Sequence, residues 1–301
     1  MSWLHVLLDP FRYQFFVNGC LIATVAGALC GLTGVYITLR GMSYLGHGLS
    51  HSVFGGFAAA SIVEVNYYVG AGVWGLFSAL LINRVARSRG IGSDAAIGVI
   101  TTASFALGVA LLTVFGSRGP SFDAALFGSI VGVRTTDVVV VGVVAALTGV
   151  AVLVRYRALQ FTTFDPEVAT ASGVAVARMD VLLMSVLSLA VLTTLTVIGV
   201  TLVAAALVVP AVIARMIARP FAKVLPLAAG IGAVTGFAGM NLSYHVDVPS
   251  GTTIVLVGAA LFALTYLVTG RRRGAGRRAG DRAPDDRIIN RTYPEGHIEP
   301  E

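Results

Sequence analysis

Nine long apolar stretches, separated by short polar segments, limit what this chain can fold into. They lie at about 15–39, 45–63, 67–82, 95–115, 129–154, 181–198, 199–217, 224–240 and 252–268. About 20 apolar residues cross the hydrocarbon of a bilayer as an α-helix. Only 12% of the residues are charged, too few to cover a soluble domain of this size. We therefore predict an all-α, polytopic membrane bundle and exclude a soluble enzyme, a nucleic-acid-binding protein and a disordered chain.

Two features of the stretches set the predicted number of spans at eight or nine. The pair around Gly199 is short for two crossings and is compatible with a broken or re-entrant hairpin. The stretch 45–63 is unusually polar and small, and if it crosses fully, the N-terminus lies outside the cell. The predicted domains are an N-terminal segment 1–14, a transmembrane domain 15–270, and a disordered cytoplasmic tail 271–301 that is both basic and acidic.

Arginine clusters between the stretches explain the net charge of +6 and set the expected orientation. Lys and Arg are enriched in cytoplasmic loops of membrane proteins. Segments 84–93, 155–179, 215–223 and the tail are therefore expected in the cytoplasm. The segments 116–128 and 241–250 and the turn near Gly199 are expected on the other side. The basic start of the tail is expected to lie against anionic membrane lipid.

His47 and His51 are the most unusual polar residues within a predicted span. Their i, i+4 spacing places both imidazoles on one helix face, and histidines at this spacing can share one metal ion. A stripe of small residues beside them suits close helix packing: Gly48, Ser52, Gly56 and Ala60. Two interpretations remain open, a metal-binding pair or hydrogen bonds to a neighbouring helix. Glu64 could be a third ligand, an acid at the metal inlet, or a solvated interfacial residue.

The segment 158–180 is too long to be a simple turn. Asp165-Pro166-Glu167 is a typical helix start, and Gly173 a typical helix end. This short helix either docks a soluble partner or connects two spans along the membrane surface. The chain has no GxxxxGK[ST] motif, so any ATPase would be a separate chain. His245 and Asp247 give a weak signal for metal capture or docking, and solvation is the alternative.

Several ordered motifs resemble the permease subunit of ATP-binding-cassette importers for zinc, manganese or iron, over about residues 12–268. The central motif is Leu39-Arg40-Gly41-Met42-Ser43-Tyr44-Leu45-Gly46-His47-Gly48-Leu49-Ser50-His51-Ser52. Further motifs are Ser93-Asp94-Ala95-Ala96-Ile97-Gly98, Leu126-Phe127-Gly128, Val208-Val209-Pro210-Ala211, Leu242-Ser243-Tyr244 and Asp247-Val248-Pro249-Ser250-Gly251.

The resemblance implies a function, a location and a set of partners. Two permease subunits would form the channel, and they are expected to be a homodimer in the cytoplasmic membrane of a prokaryote. The channel would carry a divalent metal, which is transported rather than permanently bound. Each would dock a separate ATPase through a coupling helix, for which the implied residues are Phe164, Asp165, Ala169 and Gly173. An extracytoplasmic binding protein would deliver the ion near His245 and Asp247. The chain itself would be a transport subunit and not an enzyme.

The chain departs from the family pattern at the histidine pair. The family usually has aspartate where His47 stands, and its Leu-Pro-Gly is Phe54-Gly55-Gly56 here. Two imidazoles soften the site and favour zinc over manganese, which prefers oxygen ligands. Two rival functions are a secondary, ion-coupled metal transporter and a membrane metalloenzyme. The first normally shows inverted repeats and midplane acids, but the sequence has no obvious repeat and almost no midplane acid. The second needs a third protein ligand, and the sequence offers no convincing third ligand or general base.

Overall fold

A computed structural model describes residues 9–86, 91–115, 126–128, 133–194 and 197–280, with side chains up to residue 269. This part of the chain contains no β-strand. A 3-10 helix at Asp9–Arg12 precedes the helices, which are α1 (Gln14–Leu39), α2 (Ser43–Val63), α3 (Tyr67–Ala86), α4 (Ser93–Phe115), α5 (Thr135–Val154), α6 (Tyr156–Phe164), α7 (Pro166–Ala171), α8 (Val176–Thr194), α9 (Val203–Ile217), α10 (Phe221–Val246) and α11 (Ser250–Gly280). The prediction of an all-α bundle is confirmed.

Each of the nine predicted stretches corresponds to a helix. Within the described residues, seven helices are long and apolar enough to cross a membrane: α1, α3, α4, α5, α8, α10 and α11. Helix α2 has 21 residues, but its histidines, serines and glycines lower its hydropathy. Helix α9 has 15 residues, or about 22 Å of rise, which is short for a bilayer.

Contacts between helix ends show that α1 and α8 run antiparallel and that α1 and α5 run parallel. Arg40, after the end of α1, pairs with Asp180 near the start of α8, with 2.7 Å between Nη1 and Oδ1. This end of the bundle, which also carries α6 and α7, is called the arginine end. At the opposite end, Asn18 Nδ2 donates to Thr135 Oγ1 at the start of α5 (3.4 Å). The chain order and these contacts agree with the alternation predicted from the arginine clusters.

The predicted interruption between α8 and α9 is present. The Thr201 hydroxyl donates to the carbonyl of Leu126 (2.8 Å), and the Ser250 hydroxyl donates to the carbonyl of Val197 (2.5 Å). Non-helical backbone at membrane depth is tolerated when it is buried in protein and its polar groups are paired. The segment 197–202 is therefore attached to Leu126 and to Ser250, the first residue of α11.

Glycines bring helix backbones into direct contact at the centre of the bundle. A Cβ added at Gly27 or Gly31 of α1 would strike carbonyl groups of Gly232 or Ala228 on α10. Small residues at such crossings allow close packing in lipid, where the hydrophobic effect between helices is absent. The α1–α10 contact places two 26-residue helices at the core, against which the other helices pack.

Helix α11 runs to Gly280, beyond the predicted start of the tail at Arg271. The remainder of the predicted tail, 281–301, and residues 1–8 of the N-terminal segment lie outside the described residues. The division into an N-terminal segment, a transmembrane domain and a disordered tail stays a prediction.

Candidate functional site

The two histidines of α2 face each other across one helical turn. Their Nε2 atoms lie 3.2 Å apart, and their rings meet edge to face with centroids 4.5 Å apart. Helix α2 is continuous through both residues, so the i, i+4 spacing fixes their relation. Sequence and structure thus agree that two imidazole nitrogens converge on one point.

The pair lies at the edge of the bundle, between α2 and α4. Both histidines are half-buried. The ring of Phe105 on α4 packs against His51 at 4.8 Å, and Tyr44 lies beside His47 at 5.5 Å. In the described part of the chain, the buried His51 Nδ1 has no hydrogen-bond partner. The imidazoles are held by ring packing, and this chain leaves both of them only half-buried.

Small residues next to the histidines hold α2 close to its neighbours. An added Cβ at Gly48 would lie 2.6 Å from Ile97 on α4, and one at Gly55 would lie 2.6 Å from the carbonyl oxygen of Ser104. Ser52 is completely buried. The predicted small stripe therefore contributes packing, while the adjacent face of α2 presents the imidazoles.

The structure does not bring Glu64 to the histidines. Glu64 ends α2 in the left-handed region (φ 62°) and is exposed. It lies about 20 Å along the helix axis from His51 at 1.5 Å per residue. Among the described residues, no group of three or more His, Cys, Asp or Glu side chains could hold a metal ion. A single chain therefore offers two nitrogen ligands, and the prediction of Glu64 as a third ligand is wrong because it sits at the other end of the helix.

Two short helices, not one, form the predicted coupling segment. Asp165 separates α6 from α7 and caps α7, its Oδ1 accepting from the backbone N–H of Glu167 (3.1 Å) and Val168 (2.9 Å). Gly173 lies beyond the end of α7 with φ +80°, which favours glycine. The helix start and stop predicted from Asp165-Pro166 and Gly173 are confirmed.

The side chains of this segment divide into anchors and exposed groups. Ala169 and Leu159 are completely buried, so they attach α6 and α7 to the bundle. Phe164 is 58% exposed, although its ring edge also meets Phe221 of α10 at 5.6 Å. A groove of about 490 Å³ runs beside it, lined by Arg157, Gln160, Phe161, Phe164 and Asp165. Phe164 and Asp165 are thus available to a partner, whereas Ala169 is not.

His245 and Asp247 lie on the exposed last turn of α10, at the end opposite the arginines. His245 Nδ1 is 2.8 Å from the backbone oxygen of Asn241, and Asp247 ends the helix with φ 55°. Both are accessible, as docking would require. Neither belongs to a metal-binding group within the residues that the structure describes.

Sequence analysis missed Asp137, a carboxylate that is only 5% exposed. Its Oδ1 accepts from the Tyr67 hydroxyl (3.1 Å), and its Oδ2 accepts from the backbone N–H of Arg134 (2.8 Å). An acid in the first turn of a helix is a capping signal, and this signal could have located the start of α5. Both oxygens are used structurally, so Asp137 acts as a cap that joins α3 to α5.

Comparisons with known proteins agree with this architecture. The manganese transport system membrane protein MntC of Halalkalibacterium halodurans is 35% identical over 88% of this chain and 91% of that protein. The manganese import system permease protein ScaB of Streptococcus gordonii is 32% identical over 87% and 94%. The solved structure of PsaBC from Streptococcus pneumoniae in complex with a Fab superposes with a TM-score of 0.79 at 32% identity, covering 87% of this chain and 95% of that one.

The match to a family extends over nearly the whole membrane bundle. The model of the ABC 3 transport family matches residues 12–269, which run from just before α1 to Thr269 in α11. The chain therefore belongs to the ABC 3 transport family.

Proposed function

We propose that this chain is the transmembrane permease subunit of an ATP-binding-cassette importer for a divalent first-row metal ion. The single observation that carries the proposal is the His47–His51 pair, two imidazole nitrogens 3.2 Å apart on a membrane helix. Ionisable groups inside a membrane are costly and mark substrate paths. The family match and the manganese transport functions named for the relatives support the same conclusion.

The spacing of the two nitrogens suits chelation. Two nitrogens bound to zinc at 2.0–2.1 Å in a tetrahedral arrangement are about 3.3 Å apart. His47 and His51 need to move little to reach this separation. Both would ligate through Nε2, which requires the proton of each neutral ring to sit on Nδ1.

Weak ligation fits a transport path, because a path must release its ion. Ligating histidines in stable metal sites usually donate their second N–H to an acceptor, which orients the ring. His51 Nδ1 has no such partner within the described part of the chain. The pair therefore favours brief contact with the ion and no permanently bound cofactor; the metal is the substrate.

A second copy of the chain would complete the coordination. Zinc normally takes four ligands, and one chain supplies two at the open edge between α2 and α4. In a homodimer with its two-fold axis along this edge, His47 and His51 of both copies would surround the ion with four nitrogens. Two-fold symmetry is the commonest arrangement of homo-oligomers.

We propose that the transported ion is manganese or zinc, and iron is a third candidate. Two imidazoles favour zinc over manganese, whereas two relatives are named for manganese. Affinity order alone does not decide selectivity in a cell, since availability also contributes. Competition between the ions, described below, ranks them.

The arginine end is proposed as the cytoplasmic face, where a separate ATPase docks on α6 and α7. The exposed rings of Phe161 and Phe164, with Val168, give this surface the apolar anchors typical of a protein interface. A metal-binding protein would approach the opposite end, at His245 and Asp247. The same proposal puts the cytoplasmic membrane of a prokaryote around the bundle, with its apolar helices in contact with lipid. The alternative function, an ion-coupled secondary transporter, is not supported, because the family that this chain matches is an ABC transport family.

Metal uptake in a strain that lacks this chain tests the proposed function. The strain, with and without the restored gene, is supplied with radioactive manganese or zinc and an excess of each competing metal. We expect uptake to return only with the gene, to require ATP, and to be inhibited by the preferred metal at the lowest concentration. Equal uptake by both strains for every metal would contradict the proposal.

A further inference from the structure

Arg40 connects three parts of the arginine end through one guanidinium group. Its Nη1 donates to Asp180 of α8 (2.7 Å), its Nη2 to the Thr162 hydroxyl (3.0 Å), and its Nε to the Thr163 hydroxyl (3.2 Å). The side chains of Arg40 and Asp180 are only 11% and 16% exposed. A charge-assisted hydrogen bond in such a sheltered place is stronger than one at a surface.

The two threonines are oriented to receive these bonds. The hydroxyls of Thr162 and Thr163 both donate to the carbonyl of Leu159, at 3.1 and 2.7 Å. Each oxygen therefore turns its lone pairs to the guanidinium. Leu159 is completely buried and anchors α6 to the bundle. Arg40 therefore contacts α6 on the side that packs against the bundle.

Arg40 also lies directly before the helix that carries the histidines. Gly41 and Met42 alone separate it from the start of α2 at Ser43. This turn is hydrogen-bonded throughout: the N–H of Arg40 donates to Tyr36 (3.1 Å), that of Met42 to Ile37 (2.9 Å), and that of Leu45 to Met42 (2.9 Å). Backbone hydrogen bonds thus connect Arg40 to the first turn of α2, and His47 lies on the next turn.

We propose that Arg40 is a positioning residue that transmits movement of α6 and α7 to the His47–His51 pair. The inference rests on the proposed function, in which an ATPase moves α6 and α7. Movement of α6 displaces Thr162 and Thr163, which displace the guanidinium and, through the two-residue turn, α2. Asp180 holds the charge of Arg40 in place, so that the contact persists while the helices move.

A fixed anchor is the competing role, and it predicts a different result. An anchor would affect assembly and thermal stability, and any loss of transport would follow the loss of intact complex. A positioning residue would change the amount of metal moved per ATP hydrolysed in complexes that are intact. This ratio separates the two roles.

The test uses the complex of this chain with its ATPase in proteoliposomes, supplied with the binding protein and with radioactive manganese or zinc. The double substitution Thr162→Val and Thr163→Val keeps the Arg40–Asp180 pair and removes both hydroxyl acceptors. Arg40→Lys keeps the charge but loses the planar fork. Thr193→Val is the matched control, because that buried hydroxyl donates to the carbonyl of Ala190 on α8, outside α6 and α7, and does not contact Arg40.

We expect both variants to lower the metal transported per ATP by about fivefold or more, a common size for coupling between sites. The ratio is compared in intact complexes whose ATPase content matches that of the wild type and of Thr193→Val, because loss of the two hydroxyl acceptors lowers the melting temperature by itself. An unchanged ratio in intact complexes, or a fall in transport that only follows loss of intact complex, would overturn the role of Arg40. If the wild-type complex hydrolyses ATP but moves none of the metals, the proposed function fails, and this inference fails with it.

Discussion

The Nε2 atoms of His47 and His51 lie 3.2 Å apart on consecutive turns of α2. Packing maintains this relationship, because Phe105 contacts the ring of His51 and Gly55 brings α2 against α4. Both nitrogens converge on one point, so the loss of either leaves a single ligand. Selectivity and transport should therefore depend on both residues, and the packing of α2 should depend on its glycines.

Replacing His47 with Asp should shift metal preference toward manganese. An oxygen ligand replaces a nitrogen, and manganese prefers oxygen. The zinc concentration that halves manganese uptake should rise about tenfold, which corresponds to about 1.4 kcal/mol. His47→Asn is the matched control, because it offers an oxygen without the charge and should give a smaller shift. The same zinc sensitivity in wild type and His47→Asp would contradict a ligand role for His47.

Gly55→Val should destabilise the bundle. A Cβ at Gly55 would lie 2.6 Å from the carbonyl oxygen of Ser104, and overpacking of this kind costs about 1–3 kcal/mol. Gly98→Val on α4 is the control, since a Cβ there meets no atom within 4 Å. Thermal unfolding in detergent should show a lower midpoint for Gly55→Val only. Equal midpoints for the two variants would exclude the proposed close contact.

Phe164→Ala should weaken binding of the ATPase. The ring is 58% exposed beside a groove at the arginine end, and loss of such an interface anchor costs about 2 kcal/mol, or about 30-fold in affinity. Leu264→Ala, at a residue 59% exposed on α11, controls for loss of an apolar side chain. The amount of ATPase co-purified from detergent measures the effect. Full recovery of ATPase with Phe164→Ala would remove Phe164 from the interface.

Cysteine labelling tests which end of the bundle faces outward. Val246→Cys, at a residue 53% exposed on the last turn of α10, should react with an impermeant thiol reagent added to intact cells. Ser172→Cys, exposed after α7, should react only after permeabilisation. Cys20 and Cys30 are buried and should give little background. Reversed labelling of the two sites would reverse the topology.

Features that depend on one helix could be predicted from the sequence. The apolar stretches located the membrane helices because each is long enough to bury its own backbone polar groups. The His47–His51 relation also followed, because i, i+4 spacing fixes it within one helix. The same geometry should have excluded Glu64, which lies more than three turns from His51 on the same helix.

Features that depend on helices distant in the sequence could not be predicted. Asp180 lies 140 residues from Arg40, and Tyr67 lies 70 residues from Asp137. No local pattern specifies such pairs, since they result from the way the bundle packs. Burial of Ala169 has the same origin, because whether a short surface helix turns a given side chain inward depends on what it packs against.

Uptake of metal by the His51→Ala complex tests the central claim most directly. Wild type, His51→Ala and Ser61→Ala, a control at a half-buried position of α2, are assembled with the ATPase and supplied with radioactive manganese or zinc. The account predicts that His51→Ala loses uptake of both metals, whereas ATPase content and melting temperature stay at the wild-type level and Ser61→Ala transports normally. Normal uptake by His51→Ala would contradict the account.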